Sequence, residues 1–121
     1  MPRRFNRRSS RHAALAFVAV ALGSWLGSLG PGAAERPRPA THTVVMEAVA
    51  FQPGALTVKV GDAVVWVNRD PFPHTATSAK FDSKDIAPGA SWTYTAKAPG
   101  EFLYVCTLHP MMKGTLRVTT R

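Results

Sequence analysis

Near the C-terminal end of the chain stands the run Cys106-Thr107-Leu108-His109-Pro110-Met111-Met112. It holds the only cysteine in the sequence, with a histidine three residues on and a methionine six residues on. A thiolate, an imidazole and a thioether are donors for a soft or borderline metal, copper above all. The same nitrogen and sulfur donors also suit zinc. If a second histidine converges on the same point, the set becomes two imidazoles, a thiolate and a weak thioether, which suits copper in one-electron transfer. Binding a divalent ion would itself deprotonate Cys106 at neutral pH, so no separate base is needed.

Beyond the basic N-terminal segment, two histidines could complete the set. His42 lies beside a proline-rich segment, where an exposed histidine is unremarkable. His74 follows Asp70-Pro71-Phe72-Pro73, directly after the apolar run Ala63–Asn68. A position just past a core strand, on backbone stiffened by proline, suits a ligand that must not move. Taken singly, each residue has a plainer reading: free cysteine is usually a small buried hydrophobe, and a loop histidine is usually satisfied by backbone. Only the combination raises them above that. Cysteine–histidine nucleophilic catalysis is disfavoured, since no third orienting group or oxyanion device is evident, and the chain is not expected to be an enzyme.

The elements that must hold these residues are strands. From Thr41 onward no segment has helical periodicity, and short β-branched and aromatic runs alternate with Gly, Pro and Asp. The expected strands are Thr43–Val49, Leu56–Val60, Ala63–Asn68, Ser91–Thr95, Glu101–Cys106 and Thr115–Thr119, with a short one around Asp85–Ala87. Period-2 geometry puts Phe102, Tyr104 and Cys106 on one side and Leu103 and Val105 on the other. Leu116 and Val118 are expected to point inward. Trp66, Trp92, Tyr94, Phe51 and Phe102 are expected core residues. Pro71–Pro73 and Phe81–Pro88 read as loops. An all-β, two-sheet domain of seven or eight strands fits this spacing.

The first part of the chain reads differently. Arg3, Arg4, Arg7, Arg8 and Arg11 precede a wholly apolar stretch, Ala13–Leu22, and small residues follow at Gly32-Ala33-Ala34. A basic segment, an apolar segment and a small-residue exit make a secretory signal peptide. Residues 1–34 are therefore expected to be a cleaved leader, 35–42 a linker and 43–121 the folded domain. An uncleaved anchor is the rival reading, but the glycine- and serine-diluted apolar run is short for a span. The arginine pairs leave twin-arginine export open beside the general route.

This division also explains the charge. The chain as a whole is +8, yet five of its fifteen Lys and Arg lie in the leader. Beyond Ala34, ten basic and seven acidic residues are scattered without a basic stripe, so nucleic-acid binding is not expected. A lone cysteine in an exported protein cannot form an internal disulfide, which leaves a reactive thiol, an intermolecular link or a metal ligand.

Pro73-His74-Thr75 together with Tyr104-Val105-Cys106-Thr107-Leu108-His109-Pro110-Met111-Met112-Lys113-Gly114 resembles the small cupredoxins. The short Cys-x2-His-x2-Met loop is similar to the amicyanin type, with plastocyanin and pseudoazurin as wider relatives. The resemblance spans residues 43–121 and implies a cupredoxin-like Greek-key sandwich. It implies one copper ion held by His74, Cys106 and His109 as equatorial ligands and Met112 as the axial one. Met111, beside it, is the competing axial residue. Amicyanin-type chains often carry Asn after the first histidine, tying the ligand loops together; here that residue is Thr75, and a Thr75–Thr107 hydrogen bond would stand in for it. The resemblance further implies a monomeric, periplasmic electron carrier that docks transiently with redox partners over Phe72, Pro110 and Met111 near His109. No stable membrane association is expected once the leader is removed. The alternative is a periplasmic copper-delivery protein using the same ligands, and a third reading is a metal-free adhesion module.

Overall fold

Alternation of side chains, rather than helical periodicity, builds the structure. The computed structural model describes residues 37–121 together with Gly27, Gly30 and Gly32. Apart from those glycines, the leader read at 1–34 lies outside the described residues. Ala63–Asn68 alternates half-buried and buried positions, so Val64, Trp66 and Asn68 face one side. It is the fourth of seven strands among the described residues: β1 Thr41–Glu47, β2 Ala50–Gln52, β3 Ala55–Lys59, β4 Ala63–Asn68, β5 Ser91–Thr95, β6 Gly100–Cys106 and β7 His109–Thr119. They form a four-stranded sheet in the order β2-β1-β4-β5 and a three-stranded sheet in the order β3-β7-β6. β1 runs parallel to β4 and β3 parallel to β7; the other pairs are antiparallel.

The core lies between these sheets. Val44, Met46, Val64 and Trp66 from the first meet Tyr104, Cys106, Leu116 and Val118 from the second, all buried. The rings interlock: Trp66 and Tyr104 meet edge to face at 5.5 Å, and Phe51 meets Tyr104 at 4.6 Å. Such pairs add about 0.5–1.5 kcal/mol beyond the area they bury. Tyr104 lies flush on Gly114 of the neighbouring strand, where a Cβ would collide with the phenol ring. That close approach is why β7 carries glycine at a buried position.

Besides one-residue shifts at the ends of β3 and β6, three boundaries differ from the expected ones, and contacts in the structure account for them. β1 begins at Thr41, two residues inside the stretch read as linker, because Thr41 and His42 pair with Ala63 and Val64. The run expected to continue to Val49 stops at Glu47, and Ala48-Val49 turn into the short strand β2. Both turn residues have positive φ, 52° and 55°, a conformation costly for a β-branched residue. The two Asp70 carboxylate oxygens accept their amide hydrogens at 2.8 and 2.9 Å, which holds the turn. At the other end, β7 starts at His109 rather than Thr115, so His109 and Met112 sit on a strand and not in an open loop. The expected short strand near Asp85–Ala87 is a single bridge, Ile86 with His74.

A buried carboxylate closes the opposite ends of β1, β3 and β7. Asp62, only 3% exposed, accepts the Ala40 and Lys59 amides at 2.9 and 3.0 Å and meets His42 Nε2 at 3.0 Å. Arg121 Nη2 adds an ion pair at 2.6 Å and reaches on to the Pro37 carbonyl through Nη1 at 2.9 Å. The Ala40 amide first, then His42 and the Lys59 amide, outweigh burial and hold the Asp62 carboxyl far below its usual range. A depressed carboxyl stabilises the fold above its unfolded pKa of about 3.9 and loses that contribution as pH falls further. Urea midpoints measured down the acid range should therefore fall less steeply for Asp62→Asn than for the wild type, from a lower neutral value. An unchanged acid slope would show that Asp62 does not carry this linkage.

Candidate metal centre

The histidine after the proline segment is held by two residues that the sequence reading passed over. Asn68, wholly buried at the end of β4, donates from Nδ2 to the Phe72 carbonyl at 2.8 Å and to the Ile86 carbonyl at 2.9 Å. Its Oδ1 accepts the Asp70 amide at 2.9 Å. One side chain thus ties the strand end, the Pro71-Phe72-Pro73 loop and the segment at Ile86 together. His74 exchanges backbone hydrogen bonds with Ile86 at 3.2 and 2.7 Å, which fixes its main chain on the other side.

Asp70 then orients the ring. His74 Nε2 lies 2.7 Å from Asp70 Oδ2, so Nε2–H donates to the carboxylate and Nδ1 is left with its lone pair. Burial pushes the Asp70 carboxyl up, but the hydrogen bonds from His74, Val49 and Ala48 outweigh it and hold the group below its usual value. The carboxylate serves the Ala48-Val49 turn and the His74 ring at once. The Asp70–His74 spacing of four residues was the one signal in the sequence that could have found this pair.

Cys106 ends β6, and a register shift between Val105 and Cys106 lets Thr107-Leu108 turn tightly so that Cys106 pairs with His109. Nδ1 of His74 and Nδ1 of His109 each lie 3.6 Å from Cys106 Sγ. The three ligand atoms are all within 4.8 Å of one another. With bonds of about 2.0–2.1 Å to nitrogen and 2.3 Å to sulfur, donors at tetrahedral to trigonal angles stand about 3.6–3.8 Å apart. The two nitrogen–sulfur separations therefore match those of donors that share a single metal ion. Thr75 N–H points at Sγ from 3.3 Å and helps fix where the sulfur stands.

The two methionines divide by burial. Met112 is 2% exposed, in step with the buried positions Gly114, Leu116 and Val118 of β7, whereas Met111 is 90% exposed. The expected tie between the ligand segments is present: Thr107 N–H donates to Thr75 Oγ1 at 2.9 Å, and the two hydroxyls are 3.1 Å apart. His42 does not join the cluster; it belongs to the Asp62 network. His42→Ala should leave metal stoichiometry unchanged in a copper titration, and a loss of binding would put His42 at the site.

His74 is fully buried and His109 half-buried. Phe72 packs 5.4 Å from the His109 ring and 5.2 Å from His74. Phe72, Leu108 and Met111 are exposed large apolar residues, with exposed Pro110 beside them in sequence.

A family model described as a cupredoxin-like domain matches residues 15–118. Amicyanin-alpha of Methylorubrum extorquens is 38% identical over 116 residues, covering 87% of this chain and 98% of the relative. The structure of an oxidized leucine-for-methionine mutant of amicyanin superimposes with a TM-score of 0.62 at 26% identity, covering 64% of this chain and 81% of that one. A Cu-containing nitrite reductase from Thermus scotoductus gives 0.62 at 32% identity, but this chain spans only 23% of it. The two-sheet fold, the histidine–cysteine–histidine cluster and these likenesses place the chain in the cupredoxin-like family.

Proposed function

We propose that this chain is an exported copper protein that carries single electrons between larger redox partners and catalyses no reaction itself. His74, Cys106 and His109 would hold the ion strongly, and Met112 weakly on the axial side. The observation that carries the reading is the convergence of two imidazole nitrogens on one thiol sulfur at 3.6 Å, on strand ends locked by their own hydrogen bonds. Copper held there supplies a Cu(II)/Cu(I) couple. The protein's part is to keep the donors still: Asn68, Asp70 and the Thr75–Thr107 contact fix the ligand segments before any ion binds, so little needs to rearrange as charge changes.

His109 is the ligand nearest solvent, and the exposed Phe72, Pro110 and Met111 give a partner an apolar surface around it. A small apolar contact of this kind suits a weak, transient redox complex. Residues 1–34 would be the leader and 35–40 the tether, since Thr41 and His42 already pair in β1, releasing a monomeric periplasmic domain. The apolar run at 13–22 behind five arginines supports export.

The delivery alternative is separated by experiment. An electron carrier shows reversible one-electron voltammetry and retains copper against a Cu(I) acceptor; rapid transfer of Cu(I) to the acceptor would favour delivery. Met112→Leu should keep the visible colour while raising the reduction potential by tens of millivolts or more, since loss of a thioether donor disfavours Cu(II). Met111→Leu should leave the potential near that of the wild type. The reverse pattern would make Met111 the axial ligand.

A further inference from the structure

Thr77 is three residues beyond His74 and belongs to none of the ligand positions. Its backbone is pinned to β6 by two hydrogen bonds with Val105, the residue before Cys106, both at 2.9 Å. With the main chain fixed and a β-branched side chain stiff at χ1, its hydroxyl has little freedom. That hydroxyl lies 3.0 Å from Thr75 Oγ1 as a donor, and Asp82 Oδ1 is a second acceptor for the same proton at 3.2 Å.

The count at Thr75 Oγ1 shows what this does. A hydroxyl has one proton to give and two lone pairs to fill. Thr107 N–H fills one lone pair and the Thr77 hydroxyl proton, shared with Asp82 Oδ1, the other, which leaves the Thr75 proton for Thr107 Oγ1. Thr75 is 3% exposed, so water does not readily replace a missing partner. Losing one would leave the Thr75 side chain free to leave the Thr107 amide, and with it the contact between the His74 and Cys106 segments would loosen.

We propose that Thr77 is a positioning residue for the metal centre, its hydroxyl locking the Thr75 rotamer that joins the two ligand-bearing segments. The consequence for copper rests on the proposed ligand set; the hydroxyl contact does not. Thr77→Val keeps the shape and removes the hydroxyl, and Thr77→Ser restores it. Amide hydrogen exchange, followed by NMR on the full-length protein with and without Cu(I), should show Thr107 N–H exchanging about tenfold faster in Thr77→Val, with the β4 amide of Val65 unchanged and Thr77→Ser close to the wild type. In the copper-loaded protein, loss of Cu(I) to a chelator should be several-fold faster in Thr77→Val, within the roughly 10–100-fold reach of outer-sphere changes. An unchanged Thr107 exchange rate, or one accelerated equally with Val65, overturns the proposal. A wild-type chain that takes up no copper overturns the ligand assignment instead, and the Thr107 comparison still decides the hydroxyl contact.

Discussion

Cys106→Ser should abolish intense visible absorption of the copper-loaded protein and weaken copper binding by more than about 100-fold, beyond the range seen when only outer partners of a ligand are lost. Sγ is the point on which the site is built. Both imidazole Nδ1 atoms stand 3.6 Å from it, and Thr75 N–H aims at it from 3.3 Å. Serine keeps the shape but offers a hard oxygen whose proton is far more costly to remove, so neither thiolate covalency nor its charge-transfer band survives. The residue is wholly buried and small, so the substitution creates almost no cavity and the fold should persist. A protein still strongly coloured after the change would move the metal away from Cys106.

Asn68→Ala should lower folding stability by about 2–4 kcal/mol, because three buried or half-buried backbone groups lose their partners at about 1–3 kcal/mol each, with some relief by water. Those groups are the Phe72 and Ile86 carbonyls and the Asp70 amide. The damage should also be directional. Asp70 shifts once its amide is released, and with it go the Ala48-Val49 turn and the His74 ring it holds. Urea unfolding gives the stability loss, and copper retention should fall in the same variant. A change below about 0.5 kcal/mol, the usual size at an unimportant surface position, would show that the loop is held by its prolines alone.

Much of this architecture could be read from the chain because the signals were local. Ser91–Thr95 places Trp92 and Tyr94 on one face, and Glu101–Cys106 points Tyr104 and Cys106 inward, as alternation requires. Cys106 and His109 lie three residues apart and His74 follows a core strand, and the fold brings these three side chains together. What could not be read came from distant partners. Ala48-Val49 has no turn composition; it turns because Asp70, more than twenty residues away, accepts both amides. Asn68 and Asp70 look like ordinary polar residues after a strand, yet they orient His74. Likewise His42 gave no sign that its partner is Asp62, or that Arg121 returns from the other end of the chain to the same carboxylate.

The start of β7 at His109 shows the same division at closer range. A single buried methionine on an inward-facing register distinguishes Met112 from Met111, and that register depends on β7 starting at His109. The sequence pattern marks β7 only from Thr115 onward. Pairing with β6, which continues to Cys106 opposite His109, extends the strand backwards through both methionines.

The central claim is most directly tested by titrating Cu(II) into the purified protein and recording its visible absorption spectrum. One equivalent of copper should bind and produce intense thiolate charge-transfer absorption that is lost on reduction and returns on reoxidation. A colourless or weakly coloured complex, or no stoichiometric uptake, would contradict a site built from His74, Cys106, His109 and Met112.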